Sequence, residues 1–412
     1  MKKFLTAAVA MLSCLNFACA SADNVKVEVP QSLSKSVDEF SWKYMATLIQ
    51  DENIFYSPYG MTAALGMLAN GATGETLREL LTATESESVD VLNDGHKKFA
   101  ELVKQNYGDE NIFMESNLLL IDKKFAERGL NKDYRSIVTD VYKSEVRKAD
   151  FAGNIDGEKK KITEWVKDKT SGFIPNYKAI ANEATITDLL NVVYFKGTWA
   201  IPFDESQTTA QEFTNRDGQK TFTDMMNKNF RNEIAYVEDK TFKAIKLPYS
   251  KNAAMYVIMP TDDNLLNPSE LWIAESKEYR AEFLKKLDNA WGFDGEVVVR
   301  LPKFELDIEN ALEEHFKAMG IVKSFSDDAE YFNIVNDTRL KIGSAKHRAK
   351  VKVDEQGTKA AAVTEISMVE TTAAPSFDEP KIVYFYADRP FLFLIRDTNS
   401  DVTLFTGVVN YF

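Results

Sequence analysis

The feature that most restricts the fold of this chain is the order in which helical and strand patterns follow one another. Helical spacing of apolar residues dominates the first part, beginning with Val37, Phe40 and Tyr44. Runs rich in β-branched and aromatic residues dominate the second part; they are ITDLLNVVYFKG, AAMYVIMP, GEVVVRLPKFEL, HRAKVKVDE, KIVYFYADRPFLFLIRD and DVTLFTGVVNYF. Helices that come mostly first and strands that come mostly later predict an α+β fold with large antiparallel or mixed sheets.

Four segments have the periodicity of helices. They are SVDEFSWKYMATLIQ, the apolar segment YGMTAALGMLANG after Ser57 and Pro58, GEKKKITEWVKDKTSG, and LDIENALEEHFKAMG. The last three each end in a glycine, which is a typical stop signal at a helix C-terminus. No repeat or linker divides the chain, and 44% of its 412 residues are hydrophobic. We therefore expect one large domain from residue 30 to residue 412.

The first twenty residues have a pattern of their own. Two lysines precede a short apolar run, and Ala18-Cys19-Ala20 fits a small-x-small cleavage site before Ser21. This layout predicts that residues 1–20 are a secretory signal peptide of bacterial style, because the apolar run is short for a membrane-spanning helix. We expect a protein that is secreted, periplasmic or at the cell surface, with a lipid-modified Cys19 as the alternative. Both cysteines, Cys14 and Cys19, lie in this segment.

Composition and motifs argue against several classes of function. The formal net charge of −13 disfavours nucleic acid and anionic membranes as main partners. No spacing typical of metal ligands occurs, so we expect no metal and no cofactor.

Few residues suit enzymatic catalysis. A hydroxyl or thiol nucleophile usually needs a positioned base, most often histidine. His96 lies in a polar helix start and is expected to be solvated, and His315 lies in a helix and is expected to be structural. Ser32-x-x-Lys35 matches a short serine acyltransferase pattern but lacks its companion motifs. We expect that the protein is not an enzyme, and a hydrolase using Ser32 and Lys35 is kept as an alternative.

One long connection near the C-terminal end resembles neither a tight turn nor an ordinary strand. VDEQGTKAAAVTEISMVETTAAPS lies between two strand-like runs, and such long connections in compact domains are often functional. The residues on one alternating face carry no charge; they are Thr358, Ala360, Ala362, Thr364, Ile366 and Met368. Lys359 and Glu365 fall on the other face, and no proline occurs before Pro375. This connection therefore has the alternation of a central strand.

Five dispersed blocks resemble, in the same order, motifs shared across the serpin family. They are NIFYSPYGMTAALGMLANGATGETLREL, LLNVVYFKGTWAIPFD, LPKFELD, LEEHFKAMGIVKSFSDDAEYF and ADRPFLFLIRDTNSDVTLFTGVVNYF. The resemblance implies three β-sheets, eight or nine helices, a monomer, and an exposed reactive-centre loop at about residues 355–380. In inhibitory members a serine protease cleaves this loop and forms an acyl-enzyme, and the loop then inserts into the main sheet and traps the protease.

The resemblance also assigns a hinge, where insertion of the loop begins. The inhibitory hinge pattern matches Glu355, Gly357, Thr358, Ala360, Ala361 and Ala362. Lys359 stands where an acidic residue is usual, but the alternation predicts that it faces solvent.

Two further regions of the family match single residues. Ser57, Asn191 and His347 match the shutter under the point where the sheet opens, with the imidazole of His347 hydrogen-bonded to the other two. A second serine is common where this chain has Gly60, so we expect a shutter that is looser or rearranged. Trp199 matches the breach, at the top of the sheet, where the loop enters.

The spacing of the family places the cleaved bond at Thr371-Thr372. The segment that follows is longer than in many relatives, so Met368, Val369 and Ala373 are kept as alternatives. No lysine or arginine lies between Ala360 and Pro380, and a trypsin-like pocket, which contains an acid, gains nothing from this loop.

The expected partners are therefore elastase-like and subtilisin-like serine proteases, with some cysteine proteases as further candidates. The alternative is a non-inhibitory serpin that acts as a binding or structural protein.

Overall fold

The computed structural model describes residues 27–48, 52–107, 113–126, 128–290, 292–358 and 381–412. Its helices are α1 (Gln31–Met45), α2 (Pro58–Gly71), α3 (Gly74–Ala83), α4 (Val89–Tyr107), α5 (Lys123–Ala126), α6 (Lys132–Asp140), α7 (Ile155–Lys169), α8 (Pro268–Ala274), α9 (Lys277–Asn289) and α10 (Glu313–Ala318). The described residues thus contain ten helical segments, of which α5 is a single turn, where eight or nine helices were expected. None of them is long and apolar enough to cross a membrane.

The strands belong to three layers. They are β1 (Ile54–Tyr56), β2 (Phe113–Asp122), β3 (Glu145–Ala149), β4 (Thr187–Phe195), β5 (Gly197–Thr198), β6 (Thr209–Thr214), β7 (Lys220–Arg231), β8 (Ala235–Glu238), β9 (Phe242–Pro248), β10 (Ala253–Pro260), β11 (Glu296–Pro302), β12 (Phe304–Ala311), β13 (Lys346–Asp354), β14 (Gly357–Thr358), β15 (Ile382–Tyr386), β16 (Phe391–Asp397) and β17 (Thr403–Val409). One sheet has the order β1-β17-β16-β10-β9-β8, and a second has the order β15-β11-β7-β6.

The third layer is the main sheet, and it is divided along its length. One half has the order β3-β2-β4 and the other has the order β12-β13-β14-β5. Only Lys196 separates β4 from β5, so the two halves meet at this end. Away from this end, the described strands include no pairing between β4 and β13. We call this unpaired region the split.

The six-stranded sheet forms the centre of the molecule. Every residue of β10 and β16 is buried, because the sheet is covered on both faces. Met255 and Phe393 face a core cluster that contains residues of the main sheet, and Tyr256 and Leu394 face a second cluster that contains residues of α1, α2 and α8. This double burial explains why both strands appear in the sequence as continuous apolar runs.

The structure confirms the predicted α+β class, and most predicted elements form as expected. The segment YGMTAALGMLANG forms the buried helix α2, which ends at Gly71. The prediction that a helix begins at LDIENA is wrong, because these residues belong to β12 and only Glu313–Ala318 is helical. Leu306 is buried between the exposed Glu305 and Asp307, so the true period is two, and pairing with the whole of β13 determines the conformation.

Candidate functional site

The chain turns from the end of β13 back into the main sheet, at the point where the two halves meet. There β14 is antiparallel to β13 on one side and to β5 on the other, with Thr358 opposite both Val353 and Gly197. Thr358 is 1% exposed, and its hydroxyl forms a 2.7 Å hydrogen bond with the hydroxyl of Tyr249. The hinge residue Thr358 is therefore already a central-strand residue of the main sheet.

Two glycines permit this arrangement. A Cβ atom at Gly357 would lie 2.0 Å from the carbonyl oxygen of Gly197, and the φ angle of Gly357 is +142°. Only glycine adopts such a conformation without strain. A Cβ atom at Gly197 would lie 2.5 Å from Cδ1 of Tyr249. The predicted hinge glycine is thus required by close backbone contact as well as by its conformational freedom.

Trp199 contacts the turn that joins β13 to β14. Its indole Nε1 donates a 3.0 Å hydrogen bond to the carbonyl of Asp354, and its backbone N–H donates to the carbonyl of Gln356 at 2.9 Å. Its ring stacks on Tyr249 with 4.5 Å between ring centroids. The structure therefore places the predicted breach tryptophan beside the hinge. Tyr249 was not predicted, because the sequence around it gives no sign of a partner more than a hundred residues away.

Glu355 is fixed by two polar partners just before the turn. Thr208 Oγ1 donates a 2.7 Å hydrogen bond to one carboxylate oxygen, and Lys303 Nζ lies 3.1 Å from the other. Burial alone raises the pKa of Glu355, but the hydrogen bond from Thr208 and the ion pair with Lys303 bring it below its ordinary value. The base of the hinge is therefore held by a charged carboxylate.

A cavity of about 170 Å³ lies within the split, away from the hinge. Residues Thr187–Asn191 of β4 form one wall, and residues Leu340–His347, at and before the start of β13, form the opposite wall. Residues of α2 form a further wall, and the other lining residues are Tyr177, Ala179, Ile180, Leu312, Phe316, Tyr331 and Ile334. The two halves of the sheet therefore enclose space where a further strand would pass.

The shutter histidine lies at this cavity, and its hydrogen bonding differs from the prediction. His347 Nε2 accepts a 3.0 Å hydrogen bond from the backbone N–H of Ser57. The hydroxyl of Ser57 instead donates to the carbonyl of Leu404 at 2.7 Å and accepts from the N–H of Gly60, which caps α2. Burial lowers the pKa of His347 to about 4, so the imidazole is neutral at neutral pH and can accept this bond.

Asn191, the other predicted partner of His347, belongs to a different network in this structure. Its side-chain amide donates to Glu115 Oε1 at 3.0 Å and to Asn117 Oδ1 at 2.8 Å. The hydroxyl of Tyr59 donates to Glu115 Oε2 at 2.7 Å. Burial raises the pKa of Glu115, and these hydrogen bonds oppose the shift. Glu115 is one of two acids in β2, and nothing in the sequence around it marks it as a buried carboxyl.

Gly60 stands where a second serine is usual in the family, and the space around it is too small for a side chain. A Cβ atom at Gly60 would lie 2.4 Å from Oδ1 of Asn191 and 2.5 Å from Cγ2 of Val193. A serine would therefore force the side chains of Asn191 and Val193, both on β4, to shift. The shutter is therefore rearranged: β4 lies close to α2 at Gly60, and Asn191 bonds Glu115 and Asn117 instead of His347.

A segment after α7 bridges the split on the opposite face of the main sheet. We call this segment, residues 173–178, the strap. The ring of Phe173 contacts Tyr194 of β4, with 5.9 Å between centroids. On the β13 side, Arg348 donates a 3.0 Å hydrogen bond to the carbonyl of Asn176, and Lys346 donates to the carbonyl of Lys178. The strap thus connects both halves of the sheet.

The cations that hold the strap are themselves fixed by acids of β12. Three ion pairs join the two strands: Lys346 with Glu309, Arg348 with Asp307, and Lys350 with Glu305, at 3.2, 2.8 and 2.9 Å. The first and third of these cations also lie over the rings of Tyr177 and Phe173. These three cations occupy alternate positions of β13, so their side chains share one face of the strand, which is the face toward the strap.

The prediction of a solvated His96 is wrong. Its side chain is 2% exposed and lies between the rings of Tyr59 and Tyr142, with centroids 5.2 and 5.4 Å away. His96 shares the buried stripe of α4 with Leu92 and Phe99, so helical spacing determines its burial although its sequence neighbours are polar. Burial lowers the pKa of its imidazole to about 3.

Two further sequence candidates have ordinary environments. His315 Nδ1 is hydrogen-bonded to the hydroxyl of Thr47 at 3.0 Å and its ring packs against Tyr44, which fits a structural role. Ser32 and Lys35 are exposed on α1, and no hydrogen bond joins them in the described part of the chain. The Ser-x-x-Lys match therefore lacks the nucleophile–base contact that catalysis needs.

Several predicted site residues lie outside the described residues. They are Ala360, Ala361 and Ala362 of the hinge, Thr371 and Thr372 of the candidate bond, and the alternatives Met368, Val369 and Ala373. Their roles stay predictions.

The main sheet is thus divided between β4 and β13, and the chain after β13 pairs with both of its halves at one end. The family model described as Serpin (serine protease inhibitor) matches residues 35–411. The chain therefore belongs to the serpin family. Members of this family are protease inhibitors in general, and they are not enzymes.

Individual relatives agree with this assignment. Iripin-1 of Ixodes ricinus is 30% identical over 383 residues, which cover 90% of this chain and 93% of that protein. The crystal structure of tengpin, a thermophilic serpin in the native state, gives a TM-score of 0.76 at 26% identity and covers 92% of this chain and 94% of that chain. Human thyroxine-binding globulin complexed with thyroxine gives a TM-score of 0.76 at 26% identity, and the match covers 93% of this chain and 99% of that chain.

Proposed function

We propose that this protein is an inhibitory serpin that traps elastase-like or subtilisin-like serine proteases. The protease cleaves the reactive loop and remains attached as an acyl-enzyme, and the freed loop inserts between β4 and β13 before deacylation. The observation that most supports this proposal is that Thr358 already pairs with both halves of the main sheet at the end of the split.

The register of β14 extends naturally through the loop. Because Thr358 lies opposite Val353, an antiparallel continuation brings Ala360 opposite Val351 and Ala362 opposite Ala349. Val351 and Ala349 belong to the core, so the small uncharged residues of the loop would enter it. On the β4 side the same continuation brings Ile366 opposite Leu189, which lines the cavity.

The charged residues of the loop fall on the other face in this register. Glu365 comes opposite Lys346, one of the cations that hold the strap, and Lys359 comes opposite the exposed Lys352. Neither charge enters the core, where an unpaired charge costs several kcal/mol. The pattern of charge therefore permits insertion with only one of the two faces of the loop turned toward the core.

The composition of the loop supports the choice of protease. A trypsin-like pocket contains an acid that pairs with lysine or arginine, and the loop has neither between Ala360 and Pro380. Threonine, valine, methionine and alanine suit small or medium apolar pockets. The proposed bond is Thr371-Thr372.

The proposal is tested by incubating the purified protein with elastase, subtilisin and trypsin, each active or with its catalytic serine blocked. We expect complexes that resist denaturing electrophoresis with active elastase or subtilisin, and mass spectrometry should detect a released peptide that begins at Thr372. The blocked enzymes should give no such complex. Rapid stoichiometric inhibition of trypsin through a cut between residues 360 and 380 would contradict the proposed specificity.

The alternative is a non-inhibitory serpin that acts as a binding protein, as the name of thyroxine-binding globulin describes for that relative. Its signature in the same experiment is a loop that all active proteases cleave without forming a stable complex. The small residues of the hinge, and the pairing of Gly357 and Thr358 within the sheet, favour the inhibitory function.

We also propose that the protein is exported and meets its target proteases outside the cell. The support is the signal-peptide pattern of residues 1–20. The mass of the mature protein tests this: cleavage before Ser21 gives an unmodified N-terminus, whereas a mass that includes a lipid at Cys19 indicates a lipoprotein. An intact N-terminus in protein recovered from its native host would contradict export through this segment.

A further inference from the structure

Tyr249 has a structural relation to the hinge that the recognised motifs do not include. Its side chain is 4% exposed, and it is fixed by stacking on Trp199 and by an edge contact with Phe195 at 4.9 Å. Its hydroxyl has Thr358 Oγ1 as its hydrogen-bond partner within the described residues. Both hydroxyls are buried, so each satisfies the other.

We propose that Tyr249 is a positioning residue that seats Thr358 in the main sheet before any protease arrives. This inference rests on the proposed inhibitory function and adds to it the residue that prepares the first step of insertion. Insertion then begins from a strand that is already paired on both sides and needs only to be extended.

The physical reason is the cost of removing β14 from the sheet. If Thr358 left, the hydroxyl of Tyr249 would stay buried behind Trp199 without a partner, and a buried unsatisfied hydroxyl is costly. The aromatic neighbours leave the tyrosine ring little freedom to turn its hydroxyl elsewhere. Gly197 and Gly357 allow the backbones to meet, but they provide no side-chain contact that holds the strand in place. The hydrogen-bonded hydroxyls of Tyr249 and Thr358 supply that contact, and we call this pair the seat.

The seat matters because insertion competes with deacylation of the acyl-enzyme. Starting a new strand requires several residues to be ordered before ladder hydrogen bonds form, whereas extending an existing strand adds pairs one at a time. A hinge without its seat should insert later, and more of the acyl-enzyme should be hydrolysed. Loss of the seat therefore increases the number of inhibitor molecules consumed per trapped protease.

The test compares Tyr249→Phe, Thr358→Val, the double variant and Thr358→Ser with the unmodified full-length protein. Tyr331→Phe is the matched control, because Tyr331 is equally buried and its hydroxyl bonds another side-chain hydroxyl, that of Ser324, at 3.0 Å. The first measurement is amide hydrogen exchange of residues 356–358 in the intact protein. The second is the stoichiometry of inhibition with elastase.

We expect exchange at residues 356–358 to be about fivefold faster in Tyr249→Phe, which is the effect of losing one ordinary net hydrogen bond. Thr358→Val should have a similar effect, the double variant should be no worse than either single variant, and Thr358→Ser and Tyr331→Phe should match the unmodified protein. The part of the stoichiometry of inhibition that exceeds one should rise in the same variants by a similar factor.

Other results overturn the inference. Three outcomes would each contradict the seat. The first is unprotected amides at residues 356–358 in the unmodified protein, and the second is unchanged exchange in Tyr249→Phe. The third is a double variant whose exchange is faster by the product of the two single effects. Faster exchange with unchanged stoichiometry would contradict its role in insertion. If Tyr249→Phe fails to fold, the comparison of Thr358→Val with Thr358→Ser decides. Failure of the unmodified protein to trap any protease would refute the proposed function, while the exchange measurement would still test the seat.

Discussion

Individual buried polar residues determine how the stability of this protein depends on pH. Neither ring nitrogen of His96 has a hydrogen-bond partner in the described part of the chain, and the pKa of this imidazole is lowered to about 3 because it is buried. The pKa of His347 is lowered to about 4 for the same reason. Burial has the opposite effect on Asp188, whose pKa is raised to about 6.

The sign of each contribution follows from proton linkage. A histidine has a pKa of about 6.5 in an unfolded chain. Below that pH the unfolded state binds protons that native His96 and His347 do not bind, so the stability of the protein decreases as the pH is lowered. Native Asp188 binds a proton at a higher pH than the unfolded chain does, so its contribution rises as pH falls through about 6. The histidines and the aspartate therefore oppose each other in mildly acidic solution.

Replacement of His96 isolates one of these contributions. His96→Leu removes a buried imidazole without breaking a hydrogen bond. We expect the free energy of unfolding of this variant, relative to that of the unmodified protein, to be about 2 kcal/mol more favourable to the folded state at pH 5 than at pH 7.5. Melting temperatures of both proteins at the two pH values measure this, and the difference should grow by a few degrees at pH 5. A difference that is the same at both pH values would show that His96 does not contribute to the pH dependence.

The orientation of Thr358 leads to a second prediction at this scale. Thr358→Arg places a cation on the inward face of the hinge, where burial of an unpaired charge costs several kcal/mol. Insertion should slow while acylation proceeds, so the variant should become a substrate that elastase cleaves without a stable complex. Trapping by Thr358→Arg at one-to-one stoichiometry would refute the alternation argument.

If the loop inserts as proposed, the strap is an element that it must pass. It contacts Tyr194 of β4 and three cations of β13, so it covers the split on the face toward which Glu365 would point. A new strand between β4 and β13 requires these contacts to loosen at least briefly. We therefore expect the strap to contribute to a barrier that keeps the intact protein in its native form.

Removal of one strap contact tests this barrier. Arg348→Met loses the hydrogen bond to the carbonyl of Asn176 and the ion pair with Asp307, and hydrogen bonds to charged groups contribute about 1.5–3 kcal/mol. We expect spontaneous conversion of the intact protein to an inactive form with its loop inserted to be several-fold faster or more. The measurement is the loss of inhibitory activity during incubation at a moderate temperature.

The control for this experiment is on the same strand. Lys352→Met removes an exposed cation of β13 that has no contact with the strap among the described residues. Its conversion rate should equal that of the unmodified protein. Equal rates for Arg348→Met and Lys352→Met would contradict the role of the strap.

Local patterns predicted the elements whose conformation depends on their own residues. The alternation of small and polar residues indicated the inward position of Thr358, and the apolar run of β10 indicated a buried strand. Local patterns gave the wrong prediction at LDIENA, where pairing with β13 determines the conformation. They also gave the wrong prediction for His96, because its burial depends on the face of α4 on which it lies. The partners of Tyr249 could not be predicted, because the contacts join positions far apart in the chain.

At the scale of the whole molecule, the proposed mechanism requires a native state that is not the most stable arrangement of the chain. Insertion of the loop would complete ladder hydrogen bonds on both sides of the split and bury Ile366 and Met368. Burial of each of these side chains contributes about 1.5–3 kcal/mol. The two ends of the intact loop are attached to β14 and β15, which should slow its insertion, and a cut between them should release this constraint.

The most direct test of the account is a thermal melt of intact protein beside protein whose loop has been cut by a protease between residues 368 and 373. Each 1 kcal/mol of added stability raises the melting temperature of a large domain by about 2–4 °C, so the cut form should melt roughly 20 °C or more above the intact form. Equal melting temperatures, in samples that mass spectrometry shows to be cut, would mean that the loop does not insert and would contradict the inhibitory mechanism.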